Sequence, residues 1–364
     1  MLFLFLLLSS HGSGEVLEPL SIGLISAFGD FPHHIQTQFD VSIKWFSETV
    51  KVARGKGIDL DLLHEASPFY KNITWATYRK ADSRCGIKKG LLASASPHFS
   101  DEMRPRIGVM TTCKLSENGV FHNFFDLFRH EILHALGFGT LVATKNLEGP
   151  RPENYTWNSV VIRSGTKRRV AQRAQRFYMD FSKKALNAAK VHFNCSFMTG
   201  IEADNENKIH LDEFIFGNEL MTTHLSNGRN YFSTISAAIL EETRGELGQW
   251  YHVNRSKIEE SEYWYGKNFG CTFVKRSCYD FINESQGKVI YPFWSQTHMK
   301  MLSGKSRKIL TKESFFERLS DVDNASNGLK GYKTEKTDAK YRFCPVHLDF
   351  KLDTLPEKFS VTAF

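Results

Sequence analysis

Hydrophobic positions recur along this chain with periods that change from segment to segment. Leu2 to Leu8 is an unbroken apolar run, followed by the small and polar residues Ser9 to Gly14. Leu20 to Ala27 reads as a strand. From Thr37 to Val52 the apolar residues Phe39, Ile43, Phe46 and Val50 sit three and four apart, which predicts an amphipathic helix. Ile107 to Met110 predicts a short strand after the Pro-containing turn at Met103 to Arg106. Residues 141–190 are polar and basic, and a helix is expected from about Arg169 to Lys190. Residues 200–210 read as a polar loop, Tyr231 to Glu242 as a helix, and Cys271 to Phe364 as loop-rich.

One helix carries more information than the rest. Phe121, Phe124, Phe125, Phe128, Ile132, Ala135 and Leu136 recur at three- and four-residue intervals and share one sector of a helical wheel. His130 and His134 fall near the opposite side, with Leu127 and Glu131 beside them. Gly137 is placed to end the helix, as glycine commonly does just past a helix C-terminus. An ordinary solvated face would also carry two histidines and a glutamate, and the chemistry below must be weighed against that.

Composition fits a packed protein of more than one domain. The chain has 364 residues, 41% of them hydrophobic and 30 of them Phe. The net charge of +7 comes with no RNA-binding or zinc-finger spacing, so no nucleic-acid partner is expected. The densest basic stretch (Arg163, Lys167, Arg168, Arg169, Arg173, Arg176) reads as a solvated face. Six cysteines, none in a C-x-x-C pair, favour disulfides over thiolate metal sites if the protein is exported. The Leu2–Leu8 run resembles the core of a signal peptide over residues 1–14 and is too short to span a membrane. Sequons stand at Asn72, Asn154, Asn194, Asn254, Asn283 and Asn324. Asn194 adjoins Cys195 and is the least favoured acceptor of the six. The C-terminus has no hydrophobic tail for a lipid anchor. A secreted or extracellular monomer is the expectation.

The segment His130-Glu131-Ile132-Leu133-His134 carries the candidate chemistry. Two imidazoles four apart on a helix lie one turn above the other and can chelate one zinc ion. A glutamate directly after the first histidine faces the same cavity without binding metal, where it can take a proton from water activated by the ion. Catalytic zinc usually has three protein ligands. In one large class the third histidine follows three residues after the turn glycine. Thr140 occupies that position here, and threonine is a poor ligand. The third ligand must come from further along. Spacing alone leaves His192, His210, His224, His252, His298 and His347 open.

The string His130 to Phe138 resembles the most characteristic motif of the leishmanolysins and the leishmanolysin-like peptidases of animals, zinc peptidases of the metzincin class. The resemblance extends to Arg104-Pro105-Arg106-Ile107-Gly108, His192-Phe193-Asn194-Cys195, Asn218-Glu219-Leu220-Met221 and Trp264 to Cys271. It covers residues 40–280 well and the remainder loosely. The family inserts a long segment between its second and third histidine ligands, which accounts for Thr140. The resemblance implies His210 as third ligand, Met221 as the methionine of the turn beneath the metal, and one Zn2+. It implies the disulfides Cys195–Cys271 and Cys278–Cys344, and by remainder Cys85–Cys113. Where the family has His-Trp-Glu, this chain has His210-Leu211-Asp212. Relatives carry a propeptide cysteine; here no cysteine precedes Cys85.

The expected fold is therefore α+β: a metzincin-type zincin domain with a mixed twisted sheet and an active-site helix, a helical central subdomain, and a loop-rich disulfide-containing C-terminal region. The expected boundaries are 15–139, 140–276 and 277–364. The expected activity is zinc-dependent hydrolysis of internal peptide bonds in proteins or peptides, with Glu131 as general base. The resemblance also implies an association with cell adhesion. The alternative is a catalytically silent secreted adhesion or binding protein that keeps the fold, which a chelator-sensitive peptidase assay would separate.

Overall fold

The computed structural model describes residues 2–5, 17–26, 31–53, 91–97, 105, 107–113, 121–139, 151–163, 166–179, 183–204, 209–245, 248–275, 281–282, 284–285 and 291–293. They form two compact units, Met1–Leu147 with Ser236–Glu259, and Glu148–Ile235 with Glu260–Phe364. Residues 236–259 thus group with the first unit. The architecture is α+β.

In the first unit, β1 (Leu2–Phe5), β3 (Gly23–Ser26), β5 (Ala93–Pro97) and β6 (Ile107–Thr112) form a sheet in the order β3-β1-β6-β5. A second sheet joins β2 (Leu17–Pro19), β4 (Val50–Ala53) and β12 (Tyr251–Val253) in the order β12-β4-β2. A mixed sheet is the expectation, yet every ladder among the described residues of this unit is antiparallel, with β1 inserted between β3 and β6 and running against both. Strand β1 comes from the run that reads as an export core. A short continuous apolar run is equally the signature of an interior strand.

Helix α1 (His33–Thr49) starts earlier than its apolar spacing predicts, and Val50 passes into β4. Its buried positions are Ile35, Phe39, Ser42, Phe46 and Thr49, a stripe at helical spacing. It packs against α2 (Phe124–Ala135), where the rings of Phe39 and Phe128 meet edge to face at 5.0 Å. The N-terminus of α2 is closed by two side chains. Asn123 Oδ1 accepts from the Asp126 N–H at 3.1 Å, and Gln38 Oε1 accepts from the Phe125 N–H at 3.0 Å.

In the second unit, β7 (Arg151–Arg163), β8 (Thr166–Met179) and β9 (Ile201–Ala203) form an antiparallel sheet in that order. The helix expected over Arg169 to Lys190 is replaced by β8 up to Met179, followed by α3 (Lys183–Phe193). Local propensity misses this because β8 is set by its long ladder with β7, which holds Tyr155, Thr156, Trp157, Val160, Val161 and Ile162. The basic residues of this stretch therefore lie along a hairpin. Part of the expected 200–210 loop is likewise strand β9, buried along its length.

The unit's core is aromatic. Phe193, Phe214, Tyr265, Phe269, Phe273 and Phe293 pack as a cluster. It is ringed by α4 (Glu213–Phe216) and α6 (Gly270–Lys275). Gly217 and Gly266 lie directly under the rings of Tyr265 and Phe193. A Cβ at either would come within 2.4 Å of a ring carbon. The expected disulfide Cys195–Cys271 is formed. Cys113 is disulfide-bonded, but Cys85 lies outside the described residues, as do Cys278 and Cys344. Helix α5 (Thr234–Glu242) begins three residues later than expected. Among the described residues no helix is long and apolar enough to cross a membrane.

Candidate active site

The face of α2 that reads as polar is interior. Every residue from Asp126 to Phe138 is buried, including Arg129, His130, Glu131 and His134. This removes the solvated-face alternative, because buried polar groups must find partners. Arg129 finds several. Its guanidinium bonds Asp126 and Glu259 and lies between the rings of Trp45 and Phe125, 4.8 and 4.5 Å from their centroids. Residue 129 thus anchors the helix one position before the first histidine.

His130 and His134 stand one turn apart with their Nε2 atoms 3.1 Å from each other. Two nitrogens on a tetrahedral zinc, each about 2.0–2.1 Å from it, would stand about 3.3 Å apart. The pair is therefore spaced as one edge of a coordination tetrahedron. His134 is also oriented from behind: its Nδ1 lies 3.1 Å from the Phe138 carbonyl oxygen. Donation there would make Nε2 the unprotonated nitrogen, the form that can bind a metal.

Gly137 produces that contact. It has φ 102°, in the region that favours glycine. The Phe138 N–H donates to the Leu133 carbonyl and the Gly137 N–H to the His134 carbonyl. These two bonds are a Schellman closure. It turns the chain back over the last turn and brings the Phe138 carbonyl under the ring. Tyr251 adds a further bond, its hydroxyl donating to the Leu136 carbonyl at 2.9 Å.

Glu131 is buried, and its Oε2 has no hydrogen-bond partner among the described residues. Burial pushes its carboxyl up to about 8, opposed in part by a hydrogen bond from the Ala95 backbone on β5. A dication nearby would favour the carboxylate again.

His210 lies just after β9. Its backbone N–H donates to Asp204 Oδ1 at 3.2 Å, and its Nδ1 is 3.7 Å from the same oxygen. The Asp204 N–H in turn donates to the His210 carbonyl. The next residue, Leu211, donates its N–H to the Met221 carbonyl at 2.9 Å, so Met221 is pinned beside the histidine segment. Glu219 holds Met221 from the other side. This buried carboxylate accepts from the Met221 N–H at 2.5 Å and from the Ser233 N–H and hydroxyl at 3.1 and 2.8 Å.

His130 and His134 belong to the first unit and His210 to the second. Two imidazoles 3.1 Å apart on one helix, followed in the chain by a glutamate with an unpartnered buried oxygen, are donors that fit catalytic zinc and call for one further ligand. The other candidate histidines are used elsewhere. His192 stacks on Tyr263 at 4.4 Å and spans Glu260 and the Tyr265 carbonyl at 3.0 and 2.8 Å. His224 faces Glu213, and His252 sits in β12 beside Gln249. His298 and His347 lie outside the described residues.

Reading the sequence misses Asp204, Glu219, Ala95 and the Phe138 carbonyl as supports. The Phe138 contact alone was inferable, since a Schellman closure at Gly137 dictates where residue 138 goes. Of the sequons, Asn154 lies in β7, and Asn72, Asn283 and Asn324 lie outside the described residues. Asn254 caps a short 3₁₀ turn, accepting from Ser256 and donating Nδ2 to the Glu48 carbonyl.

Comparison with known proteins finds relatives of one family. Residues 87–291 match the family model described as leishmanolysin. The chain is 25% identical to a leishmanolysin-like peptidase of Drosophila melanogaster over 280 residues, 67% of this chain and 40% of that protein. It is 29% identical to a leishmanolysin-like peptidase of Caenorhabditis elegans over 229 residues, 54% of this chain and 33% of that protein. The chain thus spans two fifths or less of the length of these relatives. No solved structure matches it. With the family model covering more than half of its length, this chain belongs to the leishmanolysin family of peptidases.

Proposed function

We propose that the chain is a zinc-dependent metalloendopeptidase that hydrolyses internal peptide bonds of proteins or peptides. The observation that carries this reading is the pair of imidazoles one turn apart on α2, with the buried Glu131 between them in the chain. His130, His134 and His210 would hold one Zn2+ through neutral ring nitrogens. The ion, when bound, would supply a Lewis acid that makes water more acidic and polarises a peptide carbonyl. Glu131 accepts the proton of the attacking water and passes it to the leaving amine. The Phe138 carbonyl and Asp204 fix the rings of His134 and His210. Met221, pinned by Leu211 and Glu219, packs as the methionine turn beneath the site. The disulfide Cys195–Cys271 and the bonded Cys113 support an oxidising, extracellular setting. Membership of this family supports a link to cell adhesion through the proteins it cleaves.

The test compares metal content and hydrolysis of an unfolded protein substrate across three proteins. Wild type is expected to bind one zinc and cleave, with cleavage abolished by a chelator. Glu131→Gln is expected to keep zinc and lose cleavage, and His210→Ala to lose zinc. Near wild-type cleavage by Glu131→Gln refutes the mechanism. Undiminished zinc in His210→Ala refutes the third ligand.

A further inference from the structure

We infer that Asn194 carries an N-linked glycan whose first sugars cover the exposed apolar side chains of Val191 and Phe197. Asn194-Cys195-Ser196 is the sequon that its cysteine neighbour makes least favoured on sequence grounds, and the structure reverses that ranking. Helix α3 ends there in a Schellman closure. The Cys195 N–H donates to the Lys190 carbonyl at 2.9 Å and the Asn194 N–H to the Val191 carbonyl at 3.2 Å. Asn194 takes the left-handed residue of the closure, with φ 53°. Asparagine is one of the few residues that adopt this conformation at low cost. Asn194 and Ser196 are exposed, while Cys195 between them is buried in its bridge to Cys271.

The surroundings point to a cover. Among the described residues three large hydrophobic side chains are exposed: Val41 at 50%, Val191 at 79% and Phe197 at 73%. A single exposed apolar residue is ordinary and decides nothing. Here the two most exposed flank one sequon, three residues before and three after its asparagine. The Val191 carbonyl is tied directly to the Asn194 N–H. A bulky, solubilising sugar attached at the midpoint shields both. Asn254 is the contrast, since its Nδ2 is engaged with the Glu48 carbonyl and its Oδ1 caps the following turn.

The transfer joins Asn194 Nδ2 to C1 of the first sugar of a polyprenyl-diphosphate-linked oligosaccharide. The bond from C1 to the phosphate oxygen breaks, the electron pair leaves with the diphosphate, and the amide releases one proton. Cys271 follows Cys195 by 76 residues. The sequon therefore enters an oxidising lumen before its disulfide partner, while Cys195 is still a thiol.

The experiment directs the full chain into a eukaryotic secretory pathway with an added leader. The product is deglycosylated by an amidase in 18O-labelled water, which marks each occupied asparagine as labelled aspartate. The expected result is label at Asn194 in most molecules and none at Asn254. Ser196→Ala destroys the sequon but leaves Asn194 in its left-handed position. It is expected to remove one glycan, leave metal content unchanged, and raise binding of an apolar-surface dye several-fold. Adding Val191→Ser and Phe197→Ser to that variant should return dye binding to the starting level. An unlabelled Asn194 peptide in the exported protein overturns the inference, whatever the other sequons carry. Unchanged dye binding in Ser196→Ala overturns the shielding. So does concentration-dependent dimerisation of the wild type through Val191 and Phe197, which would make the patch a protein interface.

Discussion

Replacing Gly108 by alanine should push the active-site helix off its sheet. Gly108 sits in β6, and a Cβ built on it would stand 2.5 Å from the Ala135 Cβ in α2. Carbon atoms in contact prefer about 3.5–4.0 Å. The substitution therefore demands about 1 Å of separation between a strand and a helix at two positions that are both buried. Overpacking of this kind costs about 1–3 kcal/mol. Removing a glycine from a strand returns about 0.5–1 kcal/mol of backbone entropy. At the middle of both ranges the clash wins, with a net destabilisation of about 1 kcal/mol. The partner change Ala135→Gly removes the obstructing methyl. The next atoms, the Ala135 Cα and carbonyl oxygen at 3.4 and 3.7 Å, are ordinary contacts. The double variant should then be more stable than the sum of its single changes by about 1 kcal/mol. Urea unfolding of wild type, both single variants and the double variant measures that coupling. Additive single effects, or a Gly108→Ala protein as stable as wild type, would refute the close approach of helix and strand.

Three further outcomes follow from the same geometry. Asp204→Asn keeps an acceptor for the His210 N–H but removes the charge beside its ring, so zinc affinity should fall about 10- to 100-fold in a chelator competition; unchanged affinity would exclude Asp204 as the support of that ligand. Gly137→Ala strains a residue at φ 102° and draws the Phe138 carbonyl from the His134 ring. It should cost about 1 kcal/mol or more in stability, and weaken zinc by about tenfold, both readable on one purified variant. Burial raises the Glu260 carboxyl, but the hydrogen bond and charge of His192, with bonds from Thr234, outweigh it and hold the group below the ordinary carboxylate value. A depressed carboxylate stabilises the fold above its unfolded pKa and loses that contribution as pH falls through the folded value. Glu260→Gln should therefore be less stable than wild type at neutral pH, with the gap closing in acid. A gap that stays constant down to acid unfolding would contradict this.

The helix at the centre of the site was legible from end to end in residue order. Its apolar stripe, the two histidines one turn apart, the glutamate between them and the terminating Gly137 are local facts, and α-helical geometry converts them directly into neighbours. The Schellman closure at Gly137 is local too, and it even dictates the carbonyl that orients His134. The sequence by itself therefore determined that His130, Glu131 and His134 share one helix and that Gly137 turns the chain at its end. It misread Arg169 to Met179 because strand β8 is decided by a ladder to residues up to twenty-seven positions away in the chain, which no local period records.

Tertiary structure decided the rest, and for one physical reason: contacts between distant residues follow from packing, not from spacing. The polar side of the helix is interior only because strands β5 and β6 and helix α1 pack around it. His210 is distinguished from His192 by what each ring touches. His192 is occupied by Glu260, the Tyr265 carbonyl and the Tyr263 ring. His210 is braced by Asp204. Spacing left those two histidines equivalent; the fold separated them by committing His192 to the core of the second unit.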